Sequence, residues 1–465
     1  MSAAPPIPED LWAQIPPNAQ AAIAAVVTAL ERRIAELEAR LGQDSSNSSR
    51  PPSSDPIHVK RRPPRKPSGR RRGGQPGHRR HTRELVPPER LSSAVECTPT
   101  ACRRCGGPLR GTDPDPLRHQ VAEIPEVRPD VVEYRRHRLS CPGCGVATRA
   151  PLPAGVPAGA FGPRLLATIG LLTGGYRLSK RQVRAALADL LGLAISTGMI
   201  SKAERLAAEA LAAADGQIAE SVRSSPAASV DETGWREGRG RAWLWTAVGP
   251  EATTFRIDRS RGADALRRLV GEPIGPVIIS DRFPTYARAP ARQVCWAHLR
   301  RDFQAMIDRA AGGEVIGARL LHFSGMVFAW WRRHGAGSIH RQTLRSYAAG
   351  LRPIVRSLLE DGRGCGCART AATCRELLAV EPSLWTFATV EGVAPHNNAA
   401  ERALRHGVIW RKTSHGTDSE AGSRFVERML SVVATCRQVG RGVLEFLAGC
   451  FRARLEGGAA PSLIG

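Results

Sequence analysis

Residues 227–235, AASVDETGW, pass from small and β-branched residues to an acid and end on an aromatic. This reads as a strand that delivers Asp231, and the segments after it decide the kind of sheet. RAWLWTAVGP (241–250) and EATTFRIDRS (251–260) are two further strands set off by Gly/Pro turns, followed by a helix at RGADALRRLVG (261–271). GPVIISDRFPTY (275–286) is nearly all apolar up to Asp281, the composition of a strand buried on both faces. RQVCWAH (292–298) is a fifth strand that runs into the helix LRRDFQAMIDRA (299–310). The order β-β-β-α-β-α-β-α predicts an α/β core with a mixed five-stranded sheet. Asp231 leaves its first strand and Asp281 its fourth. Neighbouring strands lie about 5 Å apart, so carboxylates at those ends can share a hard divalent cation.

A metal-dependent phosphoryl-transfer centre calls for a further carboxylate. HNNAAERALRHGVIWRK (396–412) offers Glu401, one turn into a helix that Asn397 or Asn398 can cap. Glu401 and Arg405 stand at i and i+4, where they can equally form a simple helix salt bridge. Glu420 and Glu427 compete for the ligand role. His298 and Asp302, i and i+4 past the fifth strand, either support the acids or cap and pack their helix. Residues 299–395 are helical and poor in strands, which predicts an insertion with Trp330, Trp331, Phe323 and Phe328 in its core. Cys365, Cys367 and Cys374 lack ligand spacing.

The 465 residues exceed one compact core, and 67 Lys+Arg against 43 Asp+Glu give a formal charge of +24. That imbalance points to a polyanionic partner. No run reaches the ~18 apolar residues of a membrane span, and AAIAAVVTAL (21–30) follows acidic Glu9 and Asp10. The expected setting is cytoplasmic and nucleoid-associated, without a membrane partner. Ile23, Val27, Leu30, Ile34, Leu37 and Leu41 repeat at 4, 3, 4, 3, 4, an a/d seam that predicts a coiled-coil oligomerisation helix over 18–42. Residues 43–84 read as a disordered basic linker. Its Lys60, Arg61, Arg62, Arg65, Lys66, Arg70, Arg71 and Arg72 can lie along DNA phosphates.

Residues 85–151 form a different unit. Cys102 and Cys105 in CRRC and Cys141 and Cys144 in CPGC are two C-x-x-C pairs separated by 35 residues, each followed by Gly. The spacing predicts one structural Zn2+ on four thiolates, clipping a small β domain whose strands are HQVAEIP and VVEYRRHRLSC. Cys97 falls outside the pattern. Residues 160–222 read as helices, with GLAIS (192–196) as a tight connection and Ser196 or Thr197 as a cap, which suits either a DNA-reading helix-turn-helix or a plain bundle.

With VDETGWR, VIISDRFPTY, RQVCWAHLRRDFQ and NNAAERALR in view, the chain closely resembles the large transposase of the IS-sixty-six type of bacterial insertion sequence. SSNSSRPPSSD, GGQPGH, the paired cysteines and FVERMLSVVATCRQVGRGVLEFL extend the resemblance over nearly the whole chain. It implies an RNase H-like catalytic core over 226–298 and 396–455, interrupted by the helical insertion 299–395. It also implies a catalytic triad at Asp231, Asp281 and Glu401 holding two Mg2+ ions, with Mn2+ as a substitute. The implied activity is strand cleavage at insertion-sequence ends and transfer into target DNA, with self-association and small accessory proteins of the same element. One departure stands out: the family has an acid before the two asparagines, and this chain has His396. That favours, as the alternative, an inactive or purely DNA-binding derivative.

Overall fold

The computed structural model describes residues 8–41, 43, 77–78, 84–309 and 312–464. The basic run from Lys60 to Arg72 lies outside them. A single turn, α1 (Glu9–Trp12), precedes one continuous helix, α2 (Pro17–Leu41). The Gln20 amide ties the two by donating to the Trp12 and Ile15 carbonyls at 2.7 and 3.0 Å. Ile23 and Val27 are half-buried, and Leu30, Ile34, Leu37 and Leu41 are exposed along α2. The whole predicted seam therefore sits on one continuous helix about 38 Å long.

The cysteine-bearing segment is less regular than its sequence predicts. Its two strands, β1 (Arg138–Ser140) and β2 (Ala147–Arg149), pair antiparallel around the second cysteine pair, not between the two pairs. HQVAEIP forms no strand, and only the end of VVEYRRHRLSC does. The physical reason is burial: Leu117, Val121, Ile124 and Val131 are all more than four-fifths exposed, so no core holds a sheet together there.

Helices α3 (Pro163–Gly170), α4 (Lys180–Leu191), α5 (Thr197–Ala210) and α6 (Ala212–Arg223) follow, with a π-turn at Leu171–Gly175. A capping box opens α4: the Ser179 hydroxyl accepts from Gln182 N at 3.2 Å and the Gln182 amide oxygen accepts from Ser179 N at 2.9 Å. Ser196 caps α5, accepting from Met199 N at 3.2 Å, as its sequence predicts. Ile169, Val183, Leu187, Ile195, Ile200 and Ala203 give these helices their own small core.

The central sheet contains β3 (Ala227–Glu237), β4 (Gly240–Val248), β5 (Thr253–Asp258), β6 (Val277–Ser280) and β7 (Arg292–Val294). Their order is β5-β4-β3-β6-β7; β3, β4 and β5 are antiparallel, and β6 and β7 run parallel to β3. The mixed five-stranded α/β sheet is thus present. Helix α7 (Ala263–Val270) joins β5 to β6, and α8 (Trp296–Arg309) leaves β7. Between β6 and β7 there is only a 3-10 turn, Pro284–Arg288, in place of the expected helix. Pro284 and Pro290 remove donors that a longer helix would need.

Period-two alternation decides what covers each face. Ala228, Val230, Trp245 and Ile278 enter a core with Ile218 and Val222 of α6 and Leu266 and Leu269 of α7. Ala227, Ile279 and Val294 enter a second core with Leu299, Phe303 and Met306 of α8. That second core continues into the insertion, α9 (Glu314–Gly335), α10 (Arg341–Arg363), α11 (Ala368–Ala379) and α12 (Thr386–Thr389), against which Phe323, Phe328, Trp330 and Trp331 pack. Three helices complete the chain: α13 (Asn398–Ser414), α14 (Glu420–Gln438) and α15 (Val443–Glu456). Leu244, Phe255 and Ile257 meet Leu404, Val426 and Leu430 in a third core under α13 and α14.

Helix α14 also finishes the sheet. Thr435 Oγ1, Ser431 Oγ and Glu427 Oε1 accept from the N–H groups of Thr253, Phe255 and Ile257 at 3.1, 3.0 and 2.5 Å. Four residues of helix rise about 6 Å and two of strand about 6.7 Å, so a stripe at i, i+4, i+8 keeps step with alternate strand donors. The stripe satisfies the edge of β5 and closes it to pairing with another chain. Glu427 is thereby engaged at the sheet edge, its other oxygen 3.0 Å from the Arg424 guanidinium.

Candidate active site

The pairing of β3 with β6 runs as far as Ser229↔Ile279. Beyond it β3 continues along β4 to Glu237, with Asp231 opposite Thr246, whereas β6 stops at Ser280. Asp231 therefore lies inside the strand and does not leave it, a correction to the sequence reading. Asp231 and Asp281 each sit two residues past that last pair, so register makes them neighbours where β6 peels away. Asp281 is fixed from both ends. Its Oδ1 accepts from Phe283 N at 2.8 Å, and its carbonyl accepts from the Ser280 hydroxyl and the Arg292 guanidinium. Asp231 Oδ1 accepts from Glu232 N at 3.0 Å.

Helix α13 brings Glu401 to this mouth. A side chain at Gly407 would collide with Leu244, so glycine there lets the helix lie directly on β4. Asn397 precedes the helix but does not cap it with its side chain, contrary to expectation. Fully buried, it donates through Nδ2 to the Val230 carbonyl at 2.8 Å, while its backbone N–H meets Cys295 Sγ at 3.2 Å. One residue thus fastens the start of α13 both to the residue before Asp231 and to the end of β7. Glu401 lies in the first turn, its Oε1 3.7 Å from His298 Nε2, and no ion pair joins it to Arg405 among the described residues.

Charge repulsion is concentrated here. Burial first, then the negative charges of Glu232, Asp281 and Glu401, push the Asp231 carboxyl up to about 8. Burial also raises Glu232, although the Tyr286 hydroxyl and Arg261 hold its carboxylate. The His298 imidazole is pulled down by burial and by Arg301, against the pull of Asp281, Glu401 and Asp302. Acids assembled against their own repulsion are the oxygen donors that a hard divalent cation takes. Among the described residues no three acids, histidines or cysteines are close enough to hold an ion together. A cleft of about 790 Å³ opens beside Asp281, His298 and Arg301.

Other expected residues have different work. Asp302 binds Arg282 at 2.9 Å, and Arg282 binds Glu376 of α11 at 2.6 Å, which fastens the insertion to the turn after Asp281. His396 stacks on Phe328, with ring centroids 6.2 Å apart and planes at 12°, and burial lowers its pKa. It adds no positive charge beside the acids at neutral pH. Glu420 starts α14, exposed. Glu232, Tyr286, Arg261 and Asn397 were not foreseen in these roles; the acid doubled in DET was the only sequence signal for Glu232.

The two cysteine pairs are built as the same turn twice. Gly106 N and Gly145 N donate to the Cys102 and Cys141 carbonyls at 3.0 and 2.9 Å, with Gly106 and Gly145 at φ 72° and 73°. Backbone N–H groups, those of Cys105 and Cys144 foremost, lower the thiol pKa of Cys102 and Cys141. Within each knuckle the two thiols interact, Cys102 with Cys105 and Cys141 with Cys144, and the four are not gathered into one group.

Residues 158–424 match the model described as "Transposase IS66 family", and residues 99–145 match "zinc-finger binding domain of transposase IS66". Residues 6–84 match a family of unknown function. The uncharacterised protein y4qI of Sinorhizobium fredii (strain NBRC 101917 / NGR234) is 28% identical over 242 residues, 45% of this chain and 43% of that protein. The uncharacterised protein y4hP of the same organism is 26% identical over 387 residues, 73% of this chain and 68% of that protein. The chain thus aligns with under half of y4qI and about two thirds of y4hP.

Proposed function

The chain belongs to the IS66 family of transposases, and from that premise we propose that it cleaves DNA at the ends of an insertion sequence and transfers the freed strand into target DNA. The observation that carries the reading is that Asp231 and Asp281 each lie two residues past the last β3–β6 pair, with Asp281 and Glu401 both near enough for their charges to raise the Asp231 pKa. The sheet order, three antiparallel strands and then two parallel, suits an RNase H-like core. Asp231, Asp281 and Glu401 would hold two Mg2+ ions, with Mn2+ as substitute. Bound there, such ions lower the pKa of an attacking hydroxyl and neutralise charge at phosphorus. The chain's own part is positioning: Phe283 N orients the Asp281 carboxylate, Asn397 sets the depth of α13, and His298 faces Glu401. The test supplies duplex DNA bearing the element's own end, Mg2+ and any accessory protein of the element, and reads nicking and joining. Binding without either reaction would leave the DNA-binding regulator in its place.

Each knuckle offers two thiols suited to Zn2+, since thiolates stabilised by backbone N–H groups are its preferred donors, and one ion on all four requires the two knuckles to close on it. We expect one zinc per full-length chain by elemental analysis, and loss of it in Cys102→Ser or Cys141→Ser. Full zinc content in both variants, or none in the wild type, would refute the assignment. The exposed seam of α2 fits a second copy of the same helix. Deleting residues 17–41 should lower the assembly state seen by sedimentation; an unchanged state would exclude the pairing. The setting that goes with this function is cytoplasmic, and no described helix is long and apolar enough to cross a membrane.

A further inference from the structure

Behind the Glu401 helix lies a second cavity, of about 370 Å³, walled by α13, α14 and the π-turn after α3. Its charged lining is Arg177, Arg402, His406 and Arg437, with no carboxylate among the lining residues. None of the three arginines has an ion-pair partner among the described residues, in a chain where many other arginines do. The Arg177 guanidinium instead lies 3.0 Å from His406 Nδ1 and donates to the Gly175 carbonyl at 3.3 Å. Arg177 also holds φ at 61°, a left-handed backbone that a non-glycine residue adopts only under strain. π-turns and strained residues of this kind concentrate at functional sites.

We propose that this cavity binds a phosphate of the DNA backbone, away from the reacting bond, with Arg177, Arg402, His406 and Arg437 as its donors. The identity of the phosphate as DNA rests on the transposase reading; the anion site itself does not. The electrostatic logic is that of the three acids with the sign reversed. Burial and the neighbouring Arg437 both lower the pKa of Arg177, and burial, Arg177, Arg437 and Arg405 all lower that of His406. Cations held together without counter-charge are relieved by an anion, and guanidinium groups match phosphate oxygens in pairs. Arg402 and His406 are i and i+4 on α13, one and five residues after Glu401, and line the cavity together with residues of α14. A phosphate seated there would set the register of the duplex relative to the helix that carries Glu401.

The experiment has two arms on the full-length chain. In the first, inorganic phosphate at constant ionic strength is titrated against thermal unfolding of the wild type, Arg437→Gln, Arg437→Lys and Arg177→Gln/Arg437→Gln. Phosphate should raise the wild-type unfolding temperature, raise it in Arg437→Lys, and have little effect in the glutamine variants. In the second, duplex affinity is followed across KCl concentration. Arg437→Gln should weaken binding about equally for all sequences and lower the salt slope by about 1. An unchanged slope together with a lost phosphate response would make this a small-anion site and overturn the DNA part. No phosphate response in the wild type would overturn the site altogether. Arg437 is exposed, so its single variant remains folded enough to decide even if the double variant is not. A wild type that binds phosphate here yet neither nicks nor joins DNA would sink the catalytic reading and leave the pocket standing.

Discussion

Asp231→Asn, Asp281→Asn and Glu401→Gln should each reduce strand cleavage by about a hundredfold to a thousandfold, the usual consequence of removing one preorganised charge from a reacting centre. Duplex binding should stay within about twofold, because phosphate contacts made elsewhere supply most of the affinity. Each substitution keeps the side-chain shape and removes a carboxylate that could ligate a cation. The local frame does not depend on those charges: Phe283 N still finds an acceptor at Asp281→Asn, and α13 is held by Asn397 whatever stands at 401. A fall in activity therefore reports lost cation ligation and not a displaced helix. Glu427→Gln is the informative control. Glu427 faces Ile257 N at the far edge of the sheet, so cleavage should persist there. Wild-type cleavage in Glu401→Gln, or its loss in Glu427→Gln alone, would move the third ligand and with it the functional face of the sheet.

The parts of this site that were legible in the sequence are those fixed by local pattern. Apolar runs ending in acids located Asp231 and Asp281, and asparagines at the start of an amphipathic run located the Glu401 helix. Register was only partly legible. DETGWRE reads as a strand exit because its residues are polar, yet Trp235 is buried and the whole stretch pairs with β4, so β3 extends past Asp231. A single strand does not reveal that one neighbour stops while the other continues. The role of Asn397 was hidden for a similar reason: the same residue caps a helix if its side chain is exposed and bonds a strand carbonyl if it is buried. In the cysteine segment, β-branched residues suggested strands, but β preference is a packing preference and this segment has nothing to pack on. Glu232 was missed because its Arg261 and Tyr286 partners are 29 and 54 residues away.

The second large effect expected is a stabilisation by Mg2+ that grows as pH rises. Asp231 is pushed up to about 8 in the folded chain, against about 3.9 unfolded. A carboxyl raised in this way favours the folded state when protonated. Its contribution is complete below about pH 4 and is lost as pH climbs through about 8. Without a divalent cation, stability should therefore decline toward mildly alkaline pH. Glu427, pushed up to about 7 by burial, adds a loss of the same sign. A cation that binds ionised Asp231 competes with the proton, so its benefit should be small at pH 6 and near full by about pH 8.5. At a hundred times its dissociation constant a ligand adds about 2.7 kcal/mol, which for a domain of this size is roughly 5–10 °C in unfolding temperature. The difference between curves with and without Mg2+ isolates the metal site, since Glu427 contributes equally to both. Glu427→Gln should flatten part of the metal-free curve and leave the difference intact, whereas Asp231→Asn should remove the pH dependence of the difference. Equal stabilisation at pH 6 and pH 8.5, or a pH-dependent stabilisation that survives in Asp231→Asn, would show that the cation does not bind where the acids crowd, and Mn2+ should then fail in the same way.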